Sequence, residues 1–477
     1  MRFKKAIGLA LCVSMVLGCL AGCGKEEQPE ESGESSEYPF KVEDLNGYVF
    51  TVADSNVNRW FPEEGSSEIG NAIINRVETV ERLFNCEIER IDFNGEEAAR
   101  AAMAGTKYAD IIVSPTYAMA RYLLKSKALV DINTLEGLNL DAEYWTRWGD
   151  TSILKYHDKI YALGAPFACQ HDEAFVIFFN KAIIEELNLE SPYDLYARDE
   201  WTMSKLLDYC RAAKKDLNGD GVFDENDRYG FICGHMFDGP FVLYMGAGGK
   251  ILRETEDGHF EFELNTKDAF RLVNQIKEIL DPFENSYKNN GNLGQLDATN
   301  VFVNGQTLFY CYSRGRGMAD AIYDMEDDFG IVPMPKGDNA GPNEYNCWVS
   351  HDAANMGIMA NNPDIEKTIM ITEALAYFSQ EENEIEENEL LANKLRDDTA
   401  RDIVQNINQY AMIDYAWVGW QLGENGAYNE GFNDMIWKVW DVAMSNSSNQ
   451  IMATIQSVEK KVEISIQELE DVLNQRN

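Results

Sequence analysis

A continuous apolar run occupies residues 175–179, with Asp172 and Glu173 before it and Asn180 after it. A short run of β-branched and aromatic residues favours a strand that is buried on both faces of a sheet. A second short strand is predicted at residues 160–163, and a Gly-Ala-Pro turn ends it. We interpret this stretch as a crossing between two α/β lobes, and we expect function in the cleft between them.

Before this crossing, the hydrophobic pattern of the chain alternates between the period of a strand and the period of a helix. Strands are predicted at residues 46–53, 86–91, 109–113 and 129–132, and helices at 69–85, 96–103 and 117–124. Such alternation predicts an α/β fold with a mostly parallel sheet. Ligands of such sheets bind beyond the carboxyl ends of strands. Ser114, Thr116 and Tyr117, which follow the strand at 109–113, are therefore candidate ligand-binding residues.

The chain after the crossing repeats the mixture of helices and strands. Thr202 or Ser204 is expected to cap a helix that runs to residue 215. Further helices are predicted at 180–189, 268–280, 365–378 and 451–473, a strand at 329–332, and a helix end, glycine turn and strand over 301–310. At 477 residues the chain is too long for one core, so two domains are expected.

The N-terminus has the pattern of an export signal. Arg2, Lys4 and Lys5 precede an apolar segment, residues 6–18, that is too short for a stable membrane span. The segment leads to Leu-Ala-Gly-Cys at residues 20–23, which resembles the lipobox of bacterial lipoproteins. Lipidation of Cys23 would attach the protein to a membrane by acyl-chain burial. The alternatives are an ordinary secretory signal with a chance cysteine, or a buried helix. Residues 24–45 are predicted to be a flexible, acidic tether.

Charge and cysteine spacing exclude some partners. A net charge of −40 argues against nucleic acid and against anionic membrane surfaces. Of nine cysteines, Cys12 and Cys19 are expected to leave with the signal, and Cys23 is the predicted lipidation site. The widely spaced remainder contains no C-x-x-C pair, which disfavours a zinc site and leaves disulfide pairing open. These cysteines are Cys86, Cys169, Cys210, Cys233, Cys311 and Cys347.

Residues 216–227, DLNGDGVFDEND, fit a calcium-binding loop. Oxygen side chains fall at positions one, three and five, glycine at six, a backbone carbonyl donor at seven, and acids at nine and twelve. Position twelve is Asp rather than the usual Glu, which weakens the expected affinity. A turn that binds nothing is the alternative; we predict a structural Ca²⁺. Its expected ligands are Asp216, Asn218, Asp220, Val222, Asp224 and Asp227.

The sequence offers little for an enzyme. Five histidines are scattered, and the chain has no HExxH, no G-x-S-x-G and no P-loop. The glycines at 246–249 are interpreted as a loop. With 81 acidic residues, paired carboxylates arise by chance, so a secreted glycosidase or lyase stays open. A peptide- or metal-binding receptor on the same fold is the other alternative.

Several segments, in this order, resemble the extracellular solute-binding lipoproteins of sugar-importing ABC transporters, family 1, which are similar in fold to maltose-binding protein. The resemblance runs from about residue 47 to the C-terminus. It is carried by residues 108–112 (YADII), 129–132 (LVDI), 161–163 (YAL), 178–181 (FFNK), 191–195 (SPYDL), 201–202 (WT), 216–231 and 330–337 (GIVPMPKG).

This resemblance implies a two-lobed α/β fold of the type II periplasmic-binding-protein kind, with a hinge and an interlobe cleft. Lobe 1 would comprise residues 46–164 and 353–396, and lobe 2 residues 165–352 and 397–477. The resemblance also implies capture of a carbohydrate, most simply an oligosaccharide, for the permease subunits of an ABC transporter. The protein would be a monomer, anchored by lipid to the extracellular face of the cell membrane.

Sugars stack on aromatic rings and bond to polar side chains. Candidate ligand contacts therefore lie in loops, at the crossings and after strands. Beyond the three residues after the strand at 109–113, they are Trp60, Phe167, Gln170, Tyr312, Arg314, Arg316, Trp348 and Trp420. Trp417 is a weaker candidate, and core packing is the alternative for each aromatic. Trp201, Trp437 and Trp440 are assigned to packing.

Overall fold

The computed structural model describes residues 38–146, 154–168, 173–234, 239–281, 283–287, 295–318, 322, 324–388, 395–412, 414–424, 427–444 and 450–474. Residues 41–477 form one compact unit. The predicted lipidation site, Cys23, lies outside the described residues, as does Gln170. Everything below concerns the unit at 41–477.

The strands follow the chain in this order: β1 (Tyr48–Asp54), β2 (Cys86–Ile91), β3 (Ile111–Pro115), β4 (Leu154–Tyr156), β5 (Lys159–Ala162), β6 (Phe175–Asn180), β7 (Tyr229–Cys233), β8 (Leu252–Glu254), β9 (Phe260–Phe262), β10 (Thr307–Ser313), β11 (Phe329–Val332), β12 (Cys347–Trp348), β13 (Ala354–Ile358) and β14 (Ala411–Met412).

The α-helices are α1 (Glu68–Phe84), α2 (Gly95–Met103), α3 (Thr116–Met119), α4 (Glu143–Thr146), α5 (Lys181–Glu186), α6 (Pro192–Ala197), α7 (Met203–Ala213), α8 (Gly239–Gly246), α9 (Lys267–Ile279), α10 (Gln295–Val303), α11 (Arg314–Gly317), α12 (Ile365–Phe378), α13 (Gln380–Asn388), α14 (Asp398–Asn406), α15 (Tyr415–Trp420), α16 (Glu430–Met444) and α17 (Ile451–Asn474). None of the helices in the described part of the chain combines the length and the apolarity that a membrane span needs.

Two four-stranded sheets form the centres of the two lobes. The first has the order β13-β3-β1-β2, in which β1 is parallel to β2 and β3, and β13 is antiparallel to β3. The second has the order β11-β6-β10-β7, in which only β10 and β7 are parallel. The predicted two-lobed α/β fold is confirmed. The mostly parallel sheet is found in the first lobe, whereas β6 makes both of its pairings antiparallel.

Local sequence explains where several helices begin and end. Ser67 accepts a hydrogen bond from the Gly70 amide at the start of α1, and Asn85 ends this helix in the left-handed conformation with φ 49°. Thr202, not Ser204, caps α7 by accepting from the Lys205 amide.

The strand predicted at residues 129–132 is wrong: Leu129 forms an isolated bridge to Met359 and belongs to no strand.

Two of the segments that pass between the lobes pair with each other. Leu163 bridges Met356 in antiparallel fashion, and Ala174 bridges Val349 in the same way. The Ser350 amide also donates to the carbonyl of Glu173. The first crossing, which includes Leu163 and Ala174, is thus hydrogen-bonded to the second, which includes Val349 and Met356.

A buried ion pair fixes α13 to the first lobe. Arg76 on α1 contacts Glu382 on α13, and the exposed fractions of the two side chains are 1% and 6%. The guanidinium of Arg76 also lies 5.4 Å from the ring centroid of Trp60 and 5.9 Å from that of Phe167. An ion pair in this setting depends on both partners, because either one alone would be an uncompensated buried charge.

Candidate functional site

Polar residues at the carboxyl end of β3 contact the start of β13. Ser114 is the register partner of Asn355. The side-chain Nδ2 of Asn355 donates to Thr116 Oγ1 at 2.6 Å, and the backbone amide of Thr116 donates to the carbonyl of Ala353 at 3.1 Å. Tyr117 follows, and its amide donates to the carbonyl of His351 at 3.2 Å. The end of β3 is therefore fastened to the second crossing.

Four aromatic residues cluster beside this end of β3. Trp348 on β12 lies 5.6 Å from Trp417, centroid to centroid, and Trp417 lies 5.4 Å from Trp420. His351 stacks on Trp417 at 5.3 Å, and its other ring contacts include Tyr117 at 5.9 Å. We call Trp348, His351, Trp417 and Trp420 the aromatic platform.

A small pocket separates the platform from the polar strand end. Its volume is about 20 Å³, and Thr116 and Tyr117 line one side while Trp348, His351 and Trp417 line the other. A space of this size holds about one water molecule. A larger solute can therefore enter only if the two sides of the pocket move apart.

Asp414 holds the helix that carries two members of the platform. Its carboxylate caps α15 by accepting from the Ala416 amide at 2.9 Å, and it also accepts from the amides of Ile251 and Leu252. Burial raises the pKa of Asp414 to about 6, although these backbone donors favour the ionised form. The carboxylate thus joins α15 to the residues that lead into β8, and it lines the small pocket.

Two buried polar atoms near the strand end and the platform lack partners. Neither Ser114 Oγ nor Trp417 Nε1 has a hydrogen-bond partner among the described residues. Buried polar groups are nearly always satisfied, so each of these atoms is open to a partner that the described residues do not supply. A hydroxyl-rich solute would supply both.

The structure places Trp60 and Phe167 together but in a packed setting. Trp60 is fully buried, its ring centroid lies 5.6 Å from that of Phe167, and its indole N–H donates to Asp54 at 2.9 Å. Phe167 is 1% exposed. Both rings therefore contribute to the core around Arg76.

The candidates from the second lobe fall at the end of β10. Tyr312 is buried within β10, with its ring centroid 5.9 Å from that of Phe175. Arg314 is also fully buried, and its amide donates to the carbonyl of Ala174 at 2.7 Å. Arg316 lies on α11, but the structure does not describe its side chain.

Sequence reasoning undervalued two residues and missed two others. Trp417 was a weaker candidate and His351 only one of five scattered histidines, yet both belong to the platform. Their signal was spacing: His351 comes three residues after Trp348, and Trp417 three before Trp420. Asn355 and Asp414 carried no signal, because their roles depend on contacts between distant segments.

Of the three tryptophans assigned to packing, Trp201 and Trp440 are buried and Trp437 is partly buried. Trp201 is fully buried, and its indole N–H donates to the carbonyl of Pro333 at 2.9 Å. Trp440 packs on Phe241 at 5.1 Å. Trp437 lies 6.1 Å from Trp420, at the edge of the platform.

The loop at 216–227 folds around its own amides. Asp216 accepts from the amides of Gly219 and Gly221, at 2.6 and 2.9 Å, and Asp220 accepts from the Val222 amide at 2.7 Å. Within the described residues, no group of three or more His, Cys, Asp or Glu side chains is arranged to hold a metal. The donor set, which consists of carboxylate, amide and carbonyl oxygens, is nonetheless the kind that Ca²⁺ prefers.

No disulfide joins any two of the five cysteines in the described segments. Cys210, Cys233, Cys311 and Cys347 are buried, and Cys86 is partly buried. Burial raises the pKa of Cys86 and of Cys347 to about 12, which keeps both thiols protonated and unreactive. Cys169 lies outside the described residues.

Solved structures share this fold at low sequence identity. The GacH receptor of Streptomyces glaucescens, solved unliganded and with acarbose, aligns at a TM-score of 0.54 and 14% identity over 87% of this chain and 99% of its own. UspC of M. tuberculosis aligns at 0.55 and 14%, over 87% and 100%. A cyclo/maltodextrin-binding protein complexed with maltotetraose aligns at 0.51 and 13%, over 90% and 97%.

Sequence comparison identifies the family. The profile of the bacterial extracellular solute-binding proteins matches residues 88–385. Comparison with curated protein sequences gives no significant match. Members of this family bind solutes and are not enzymes, which confirms the predicted binding protein and argues against a glycosidase or lyase. The chain belongs to the bacterial extracellular solute-binding protein family.

Proposed function

We propose that this protein captures an oligosaccharide outside the cell and delivers it to the permease of an ABC transporter. The aromatic platform beside the polar end of β3 carries this proposal. Sugar rings present flat C–H faces that stack on indoles, and their hydroxyls both donate and accept hydrogen bonds. Trp417 Nε1 and Ser114 Oγ, which lack partners among the described residues, would then be satisfied.

The structural neighbours support a sugar. GacH was solved with acarbose and the cyclo/maltodextrin-binding protein with maltotetraose. The strands support the lobe assignment that we propose, which is residues 46–164 and 353–396 for lobe 1, and 165–352 and 397–477 for lobe 2. Strands β1, β2, β3 and β13 build one sheet, and β6, β7, β10 and β11 the other.

Ligand screening tests the proposal. The purified soluble domain is titrated calorimetrically with neutral oligosaccharides, with short peptides and with divalent metals. We expect heat of binding from at least one oligosaccharide, and a Trp417→Ala variant with affinity at least about tenfold lower, since a buried aromatic anchor is worth over 1 kcal/mol. Phe223→Ala, which removes an exposed ring from the loop at 216–227, serves as the control. Binding of peptides alone would overturn the sugar assignment.

We also propose that the mature protein is a monomer held at the extracellular face of the cell membrane by lipid on Cys23. The basic start, the apolar segment and the small residues before Cys23 support this. In cells fed a labelled fatty acid, the wild type should carry label and sediment with membranes. Cys23→Ser should carry none, and wild-type protein without label would contradict the anchor.

Finally, we propose that a structural Ca²⁺ binds the loop at 216–227. Asp216, Asn218, Asp220, Asp224 and Asp227 would supply side-chain oxygens, and Val222 its carbonyl. The ion would neutralise several carboxylates that crowd one turn of chain. It has no part in sugar recognition.

A further inference from the structure

The ring contacts of the platform continue outward beyond Trp420. Tyr428 stacks on Trp420 with ring centroids 4.3 Å apart and an angle of 12°. Unlike the members of the platform, Tyr428 is 47% exposed. A continuous series of rings therefore leads from the small pocket to the protein surface.

Tyr428 opens onto a much larger groove. This groove has a volume of about 610 Å³, and the residues that line it include Lys125, Glu424, Asn429, Ile464 and Glu468. Its size falls within the range of small-molecule sites, whereas the small pocket of about 20 Å³ does not. Polar groups alternate there with the exposed apolar side chains of Tyr428 and Ile464. Such a surface suits a polar ligand with flat apolar faces.

An arginine lies beside Tyr428, although it does not itself line the groove. The guanidinium of Arg121 lies 5.3 Å from the ring centroid of Tyr428. Its Nε is buried without a hydrogen-bond partner among the described residues, which also place no carboxylate at ion-pair distance from it. In a chain with 81 acidic and 41 basic residues, an arginine without a carboxylate partner is unexpected. Its N–H groups are therefore free to donate to a bound molecule.

Arg121 and Tyr428 are also close to the small pocket. Burial raises the pKa of Tyr117, and Asp352 and Tyr428 raise it further, whereas Arg121 opposes them. Tyr117 lines the small pocket, so Arg121 and Tyr428 act electrostatically on a residue of that pocket. Within the groove itself, Lys125 donates to the carbonyl of Gly423 at 3.3 Å.

We infer that Tyr428 and Arg121 form an outer subsite, which binds the distal units of an oligosaccharide whose inner end lies on the aromatic platform. This inference rests on the proposed function and deepens it, because it selects ligands by chain length. A distal sugar ring stacks on Tyr428, and its hydroxyls accept hydrogen bonds from Arg121. A mono- or disaccharide reaches the platform alone.

Calorimetry over a length series tests the subsite. The probes are maltose, cellobiose, xylobiose and mannobiose, together with the tetra- to hexasaccharides of the same four series. We expect the affinity of wild-type protein to rise with length. Tyr428→Ala and Arg121→Gln should each weaken binding of the long members about tenfold while changing the disaccharides less than about twofold. Tyr428→Phe, which keeps the ring, should bind like the wild type.

Phe223→Ala and Arg100→Gln are matched controls, since Phe223 is an exposed ring beside Lys214 and Arg100 an exposed arginine on α2. Affinity that does not rise with length would overturn the subsite alone. The same holds if Tyr428→Ala and Arg121→Gln weaken short and long ligands equally. Wild-type protein that binds no member of any series would overturn both the subsite and the proposed function.

Discussion

The imidazole of His351 lies nearly parallel to the indole of Trp417, with an interplanar angle of 11° and ring centroids 5.3 Å apart. His351 belongs to the segment that crosses between the lobes, and Trp417 belongs to α15. The stack therefore couples the geometry of a crossing to the geometry of the platform. A change in the angle between the lobes should therefore move Trp417, and with it the surface on which we expect a sugar to lie.

His351→Ala should weaken oligosaccharide binding, because Trp417 loses the ring that fixes its orientation. Stacked aromatic pairs contribute about 0.5–1.5 kcal/mol beyond burial, so we expect a decrease of roughly three- to tenfold in affinity. Calorimetric titration measures it. His351→Phe keeps a flat ring at this position and should retain most of the affinity. Equal losses in the two variants would contradict a stacking role.

Asp414→Asn should change how stability depends on pH. The native carboxyl keeps its proton up to pH of about 6, whereas an unfolded Asp releases it near 3.8, so the native state binds more protons between these values. The contribution of Asp414 to stability therefore falls as pH rises from about 4 to 6, by about 3 kcal/mol at most.

Urea unfolding of wild type and Asp414→Asn at a series of pH values isolates this contribution. The difference between the two free energies of unfolding should move in favour of Asp414→Asn as pH rises through this window, and then level off. A difference that stays flat from pH 4 to 7 would show that Asp414 has an ordinary pKa.

Breaking the ion pair between Arg76 and Glu382 should be costly. Each single variant, Arg76→Met or Glu382→Leu, leaves one charge buried without its partner, so we expect a loss of about 3–5 kcal/mol in the free energy of unfolding. The double variant should lose less than the sum of the single losses, and chemical denaturation measures all three. Strict additivity would mean that the two charges do not interact.

Calcium should raise the melting temperature if the loop at 216–227 binds it. At a Ca²⁺ concentration of one hundred times Kd, binding stabilises the native state by about 2.7 kcal/mol. Asp220→Asn keeps the acceptor for the Val222 amide but removes a charge, so it should reduce the calcium-dependent shift. Asp208→Asn, on the exposed face of α7, is the matched control. A melting temperature that ignores both EDTA and added Ca²⁺ would reject the site.

Strong hydrophobic periods predicted the elements near the site. The apolar run at 175–179 is β6, which is buried at every position, and the period at 451–473 is α17. The strand at 109–113 appears as β3, so the position of Ser114, Thr116 and Tyr117 at the end of a strand was predictable from local sequence, whereas their role as ligand contacts stays a prediction. These predictions depend only on local sequence. The elements form as predicted because each one buries a face that its own sequence defines.

The platform could not be assembled from the sequence in the same way. Trp348 and Trp417 are distant in the chain, and they meet only because β12 pairs with β14, just before α15 begins. Trp60 carried the same aromatic signal, yet it packs against Arg76 and Phe167. Composition shows that a ring is available, whereas long-range pairing decides whether it faces solute or core.

Two of the passages of chain between the lobes bond to each other, Leu163 with Met356 and Ala174 with Val349. We expect these bonds to define a single axis, since sliding or twisting would break them while bending would not. Displacement about an axis grows with distance from it. A few degrees at the bonded pairs would then displace most the parts of the lobes that lie farthest from them, so a ligand that contacts both lobes far from the pairs would respond most strongly to a small rotation.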